Sequence, residues 1–194
     1  MNLPNKLTLL RVFLIPFFLL FMYWELPFHF MIALVIFAAA SITDALDGKI
    51  ARKHNLVTNF GKFLDPLADK VLVIAALTVF VDISEINMSA IPLIIISARE
   101  FMVSGLRLLA ANSGIVVAAG IWGKLKTAFT MVAIVASLFW LSLCYDFDFG
   151  IACGIRDAVD NIVIPVLIWI STLLTIISGA IYLKGYWHLI DSDK

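Results

Sequence analysis

The sequence predicts an all-α integral membrane protein: a six-transmembrane-helix bundle with a short N-terminal interfacial segment and both termini cytoplasmic. Three observations predict it. Apolar residues make up 62% of the 194 residues and charged residues only 14%, and the mean hydropathy is +1.03. Six apolar runs, about 8–24, 30–52, 60–81, 91–111, 123–145 and 160–183, each approach the ~20 residues a helix needs to cross the hydrocarbon core. Charge is sorted by connection, although the net charge is zero.

Taken in order, residues 1–7 (MNLPNKL) are weakly amphipathic and suit the membrane interface. The first run begins with Lys6 and Arg11 but has no small-residue cleavage site, and further spans follow, so it is read as a retained helix. The second and third runs are joined by 53–59 (KHNLVTN), with Thr58 or Asn59 as N-cap. Connections near 52–62 and 107–126 hold Arg52, Lys53, Lys62, Arg107, Lys124 and Lys126. The opposite ones, near 25–29, 82–90 and 146–159, hold Arg156 against Glu25, Asp82, Glu85, Asp146, Asp148, Asp157 and Asp160. The excess of Lys and Arg marks the cytoplasmic side. Tyr23, Trp24, Trp122, Trp140, Tyr145, Tyr182 and Trp187 fall near span ends, as an interfacial aromatic belt would. Cys144 and Cys153 sit near the outer face, where a disulfide is possible but two idle thiols are the simpler expectation. No repeat, low-complexity stretch or nucleic-acid-binding footprint is visible, and residues 1–194 read as a single domain.

Against this background four carboxylates stand out: Asp44, Asp47, Asp65 and Asp69. At membrane depth each costs about 2.5–3.5 kcal/mol, so the set asks for roughly 10 kcal/mol of compensation, which bound metal would supply. Asp44 and Asp47 are three apart and share a helix face, as do Asp65 and Asp69, four apart. A helical hairpin brings the two pairs to one depth, facing each other, as a two-cation site requires. Carboxylates without cysteine select hard ions, Mg²⁺ or Mn²⁺, which typically share phosphate oxygens with a substrate. Gly48 and Gly61 leave room for a group approaching the backbone, and Arg52 offers a planar fork to phosphate.

The stretch D-A-L-D-G-K-I-A-R, eight residues, then G-K-F-L-D-P-L-A-D resembles the CDP-alcohol phosphotransferase signature, D-x2-D-G-x2-A-R-x8-G-x3-D-x3-D, at all eight fixed positions. Chance fills such a pattern about once in 10¹⁰ starting positions, at roughly one in twenty per residue type. The resemblance implies six transmembrane helices, a homodimer, and transfer of a phosphate-linked group from a CDP-activated donor to an alcohol. It implies two divalent cations held by Asp44, Asp47, Asp65 and Asp69, with Asp69 also the base for the attacking hydroxyl. Gly48, Arg52, Thr58 and Gly61 match positions that hold the CDP group. Asn5, Thr8 and Arg11 are placed to close over the nucleotide, Arg11 being equally placed to anchor a lipid headgroup.

The acceptor is read from other stretches. N-L-P-N-K-L-T-L-L-R, I-S-A-R-E at 96–100, S-G-L-R at 104–107 and W-G-K-L-K-T at 122–127 resemble the bacterial branch of that family that makes phosphatidylglycerophosphate. That resemblance implies CDP-diacylglycerol as donor, sn-glycerol 3-phosphate as acceptor and the bacterial inner membrane as location. Arg99 and Glu100 lie mid-span, where an ionisable pair is expensive and usually functional. Arg99, Arg107, Lys124 and Lys126 together suit the acceptor's phosphate. Arg107, Lys124 and Lys126 are equally read as positive-inside residues reaching the interface, and Arg99 as a structural partner of Glu100. Serine, inositol phosphate or phosphatidylglycerol as acceptor, and a divalent-cation carrier, are the rival readings. No Ser, Cys or His is placed as a covalent nucleophile, so direct in-line displacement is expected.

Overall fold

A computed structural model describes residues 3–24, 26–54, 59–112, 120–147 and 153–186, with the side chains at 3–5, 44–54, 59–66, 111–112 and 153 outside that set. Among the described residues the regular structure is all helical, in six runs. These are α1 (Leu3–Tyr23), α2 (His29–His54), α3 (Asn59–Asp82), α4 (Ala90–Asn112), α5 (Ile121–Leu141) and a last run made of α6 (Cys153–Ala158) and α7 (Ile164–Tyr186). Each expected span has its helix. The segment expected on the interface is, from Leu3 onward, the first turns of α1 rather than a separate piece.

The pattern of exposure is that of a bundle solvated by lipid. Every long helix carries bulky apolar side chains on the outside, from Phe13 (65% exposed) on α1 to Leu173 (58%) on α7. The residues turned inward on α5 and α7 include Thr130, Ser137, Ser171, Thr172, Thr175 and Ser178, all buried. In lipid, apolar surface gives helices no reason to associate, so close packing of small residues and hydrogen bonds between helices do that work. The Thr130 and Ser171 hydroxyls, 2.5 Å apart, link α5 to α7 in this way. Among the described residues three runs are long and apolar enough to cross a bilayer, Lys6–Tyr23, Ile121–Asp146 and Gly154–Tyr186. The apolar part of α2 is His29–Thr43, before the first aspartates, and α4 carries Arg99, Glu100 and Arg107.

α1 packs on α2 and α3; α7 packs on α4 and α5; α2 touches α5, and α3 touches α4. The apolar core, with Phe18, Phe30, Phe37, Phe80, Leu138 and Ile164, fills the half of the bundle towards the ends of α1, α3 and α5. Two irregularities shape that end. A π turn, Ser142–Asp146, closes α5, and a second, Val159–Val163, precedes α7. The second ends two residues before Pro165, which cannot donate an i→i−4 bond and whose ring crowds that carbonyl, at Asn161 within the turn.

The acids at this end have structural duties. Asp146 accepts the α2 backbone N–H groups of Met31 at 2.6 Å and Phe30 at 3.4 Å, capping an end whose first N–H groups have no intrahelical partner. Asp160 is buried and accepts from Trp140 Nε1 at 2.7 Å and Tyr145 Oη at 3.3 Å. Arg156 lies over the Tyr145 ring, 4.2 Å from its centroid. Cys144 is a free, buried thiol, while the side chain of Cys153 lies outside the described residues.

Candidate active site

The opposite end of the bundle is polar inside. α4 places Glu100, Ser104 and Arg107 on one face, because offsets of four and seven residues return to the same side of a helix, and Arg99 stands beside them. That face meets Asp69 and Lys70 of α3 and Lys124 of α5 around a cavity of about 180 Å³. The volume lies below the roughly 300–1,000 Å³ of pockets for drug-sized ligands, so it suits a small polar molecule rather than a nucleotide. Lys70, Arg99, Arg107 and Lys124 outnumber Asp69 and Glu100 on its wall, a formal surplus of two positive charges. A phosphate monoester carries nearly that charge with opposite sign.

The bases are held in different ways. Arg99 donates from Nη1 to Glu100 Oε1 at 3.1 Å and from Nη2 to Ser178 Oγ at 2.6 Å. Its stem crosses α7 at Gly179, where a Cβ would sit 3.1 Å from Arg99 Cγ. Arg107 donates from Nη2 to the Tyr182 hydroxyl at 2.9 Å, and that oxygen also accepts the Gly120 N–H at 3.0 Å. The guanidinium carbons of Arg99 and Arg107 stand 5.5 and 5.4 Å from the Tyr182 ring centroid, within cation–π range. Lys124 is exposed, and its side chain makes no hydrogen bond or ion pair with a described residue. Lys126 is buried behind the cavity wall and pairs with Glu100 Oε1, lining a smaller adjoining void with Asp69 and Lys70.

The structure therefore brings Asp69, Arg99, Arg107 and Lys124 to one cavity and sets Lys126 one layer back. Asp44, Asp47, Gly48 and Arg52 lie on the α2 backbone, Gly61 and Asp65 on α3 and Asn5 on α1, with their side chains outside the described residues. Thr58 lies outside them altogether. Thr8 and Arg11 are described, and both are fully buried in α1. Of the signature aspartates only Asp69 has a described side chain, and among the described residues no three metal-ligating groups cluster. The donor type still fits a hard divalent cation: a carboxylate facing a cavity suited to phosphate.

Tyr182 corrects the sequence reading. Near the end of an apolar span it was counted in the aromatic belt, but it is 5% exposed and joins both arginines. Its neighbours carried a signal: Ser171, Thr175, Ser178 and Tyr182 recur at steps of four, three and four along one face of α7. Lys70 and Ser104 were likewise unassigned.

The sequence model of the CDP-alcohol phosphatidyltransferase family matches residues 1–180. A Bacillus subtilis protein named CDP-diacylglycerol–glycerol-3-phosphate 3-phosphatidyltransferase is 39% identical over 205 residues, covering 100% of this chain and 99% of its own. Proteins of the same name from Rickettsia bellii and Haemophilus influenzae are 41% and 38% identical. They cover 95% and 94% of this chain, and 94% and 92% of their own lengths.

Proposed function

This chain belongs to the CDP-alcohol phosphatidyltransferase family, and from that premise we propose that it transfers the phosphatidyl group of CDP-diacylglycerol to sn-glycerol 3-phosphate, giving phosphatidylglycerophosphate and CMP. The relatives' printed names give this donor and acceptor for those proteins. The observation in this chain that carries the reading is the cavity joining Asp69 to Arg99, Arg107 and Lys124. Serine would need no such surplus of positive charge; a phosphorylated alcohol does.

In this reading the acceptor's phosphate rests on Arg107, Lys124 and Arg99, and its C1 hydroxyl points to Asp69. Arg107 and Arg99 are fixed by Tyr182 and Ser178 before substrate arrives, so little ordering remains when it binds. Asp69 takes the hydroxyl proton as the oxygen attacks the phosphatidyl phosphorus in line, and CMP leaves. Asp44, Asp47, Asp65 and Asp69 would hold two divalent cations, Mg²⁺ or Mn²⁺. Such cations neutralise charge on a pyrophosphate and its leaving group. Gly48, Arg52, Thr58, Gly61, Asn5 and Thr8 form the CDP side of the site. The site faces the cytoplasm of a bacterial inner membrane, CDP-diacylglycerol enters from the bilayer, and the enzyme works as a homodimer.

The test is CMP release by purified protein in detergent, with CDP-diacylglycerol and Mg²⁺ or Mn²⁺. The acceptors are sn-glycerol 3-phosphate, serine, inositol phosphate and phosphatidylglycerol, with Asp69→Asn as the blank. Release that requires glycerol 3-phosphate is the expected result. Release with another acceptor would retain the aspartates and overturn the acceptor assignment.

A further inference from the structure

Glu100 is an acid placed in a pocket otherwise suited to an anion, and the reaction as derived above gives it no task. It is not a remote charge, since its side chain is 16% exposed and lines the cavity with Asp69. Its bonding is lopsided. Arg99 Nη1 and Lys126 Nζ both converge on Oε1, and no described residue gives a hydrogen bond to Oε2. A carboxylate present only to neutralise two cations is best used with one on each oxygen, because separate bonds to both oxygens hold it more firmly. Here one oxygen is spent on holding the group in place and the other is left over, on a side chain of the cavity wall.

From this we infer that Glu100 is a specificity-determining residue, whose Oε2 accepts a hydrogen bond from the second, non-reacting hydroxyl of the acceptor. The inference rests on the acceptor being sn-glycerol 3-phosphate. That molecule offers three polar groups: a phosphate, a primary hydroxyl that reacts and a secondary hydroxyl that does not. The cavity offers three matching partners: the bases, Asp69 and Glu100. Arg99 and Lys126 hold Glu100 by Oε1, so Oε2 is the oxygen that accepts, and the reacting proton is left to Asp69. An acceptor without the second hydroxyl would leave Oε2 desolvated and unpaired, a loss that a site built around that bond penalises heavily.

The experiment compares sn-glycerol 3-phosphate with 3-hydroxypropyl phosphate, which keeps the phosphate and the primary hydroxyl and lacks the secondary one. CMP release gives kcat/KM for each in the unmodified protein, in Glu100→Met, and in Glu100→Met combined with Lys126→Met. The double variant removes the carboxylate together with its buried cation and covers the case in which the single variant does not fold. The unmodified protein should prefer glycerol 3-phosphate by roughly 10- to 100-fold, the range of a hydrogen bond to a charged group. Both variants should bring that ratio to within about threefold of one. A merely structural Glu100 lowers both acceptors together and leaves the ratio alone, which would overturn the inference; so would an unmodified protein that does not discriminate. Folded, unmodified protein that releases CMP with neither acceptor would instead overturn the acceptor assignment beneath it.

Discussion

Arg107 of α4 donates from Nη2 to the hydroxyl of Tyr182 on α7, 2.9 Å away and 75 residues later in the chain. The same oxygen accepts the Gly120 N–H at 3.0 Å, so one hydroxyl ties the end of α4, the start of α5 and α7 together beside the cavity. Tyr182→Phe keeps the ring under both guanidinium groups and removes only that acceptor. A hydrogen bond to a charged donor is worth about 1.5–3 kcal/mol. The acceptor KM should therefore rise about 10-fold or more, with the KM for CDP-diacylglycerol changed less than twofold. Steady-state CMP release with each substrate varied in turn checks this.

Gly179 lets the stem of Arg99 cross α7. A Cβ there would lie 3.1 Å from Arg99 Cγ, tighter than ordinary van der Waals contact, and 3.6 Å from Met102 Cε, which can move aside. Gly179→Ala should cost a few-fold in acceptor kcat/KM. Gly179→Val, whose branched side chain cannot be accommodated by Met102 alone, should cost on the order of 100-fold, with ~1–3 kcal/mol of overpacking. Equal activity of the two variants would show that Arg99 is not held by this contact.

Lys126 is 3% exposed, and its ion-pair partner is Glu100. Glu100 also holds Arg99, whereas Lys126 has no other ion-pair partner among the described residues, so losing Glu100 strands a buried cation at about 3–5 kcal/mol, and replacing both with apolar groups is often neutral. Glu100→Met should lower the Tm in detergent by on the order of 10 °C, at about 2–4 °C per kcal/mol for a chain of this size. Adding Lys126→Met should recover at least half of that loss. Additive losses in the double variant would mean that the two residues are not coupled.

At the far end of the bundle, Asp160 accepts from Trp140 and Tyr145. Asp160→Ala leaves both donors without their acceptor, costing about 1–3 kcal/mol each. Thermal unfolding should move down by roughly 5–10 °C. The kcat/KM for both substrates should stay within twofold, because the cavity is built from other residues. A large loss of activity at a temperature where the variant is folded would connect this end to catalysis.

The architecture and the family signature were legible because both are local patterns. Span lengths follow from unbroken apolar runs, and all six became helices within a few residues of the expected bounds, except that the last begins earlier, at Cys153. Arg99 and Glu100 stood out through their cost at membrane depth. What stayed hidden depends on which helix meets which. The Glu100–Lys126 pair joins α4 to α5, and nothing in either helix alone announces it. Asp146 and Asp160 counted towards orientation as outer charges, whereas one caps α2 and the other is buried under Trp140. Tyr182 was misplaced because aromatic residues near span ends are usually interfacial. In lipid the buried face of a helix is its polar one, and the serines and threonines of α7 marked that face.

The central claim is that the cavity beside Asp69 seats the acceptor's phosphate, and the most direct measurement is the kinetics of Arg107→Gln. Arg107 lines that cavity and is anchored by Tyr182 from outside it. CMP release should be recorded with sn-glycerol 3-phosphate varied at saturating CDP-diacylglycerol, and then the reverse. The account predicts an acceptor KM raised at least 30-fold, about 2 kcal/mol of lost charge-assisted binding, with the donor KM within twofold. An unchanged acceptor KM, or a rise confined to CDP-diacylglycerol, would contradict it.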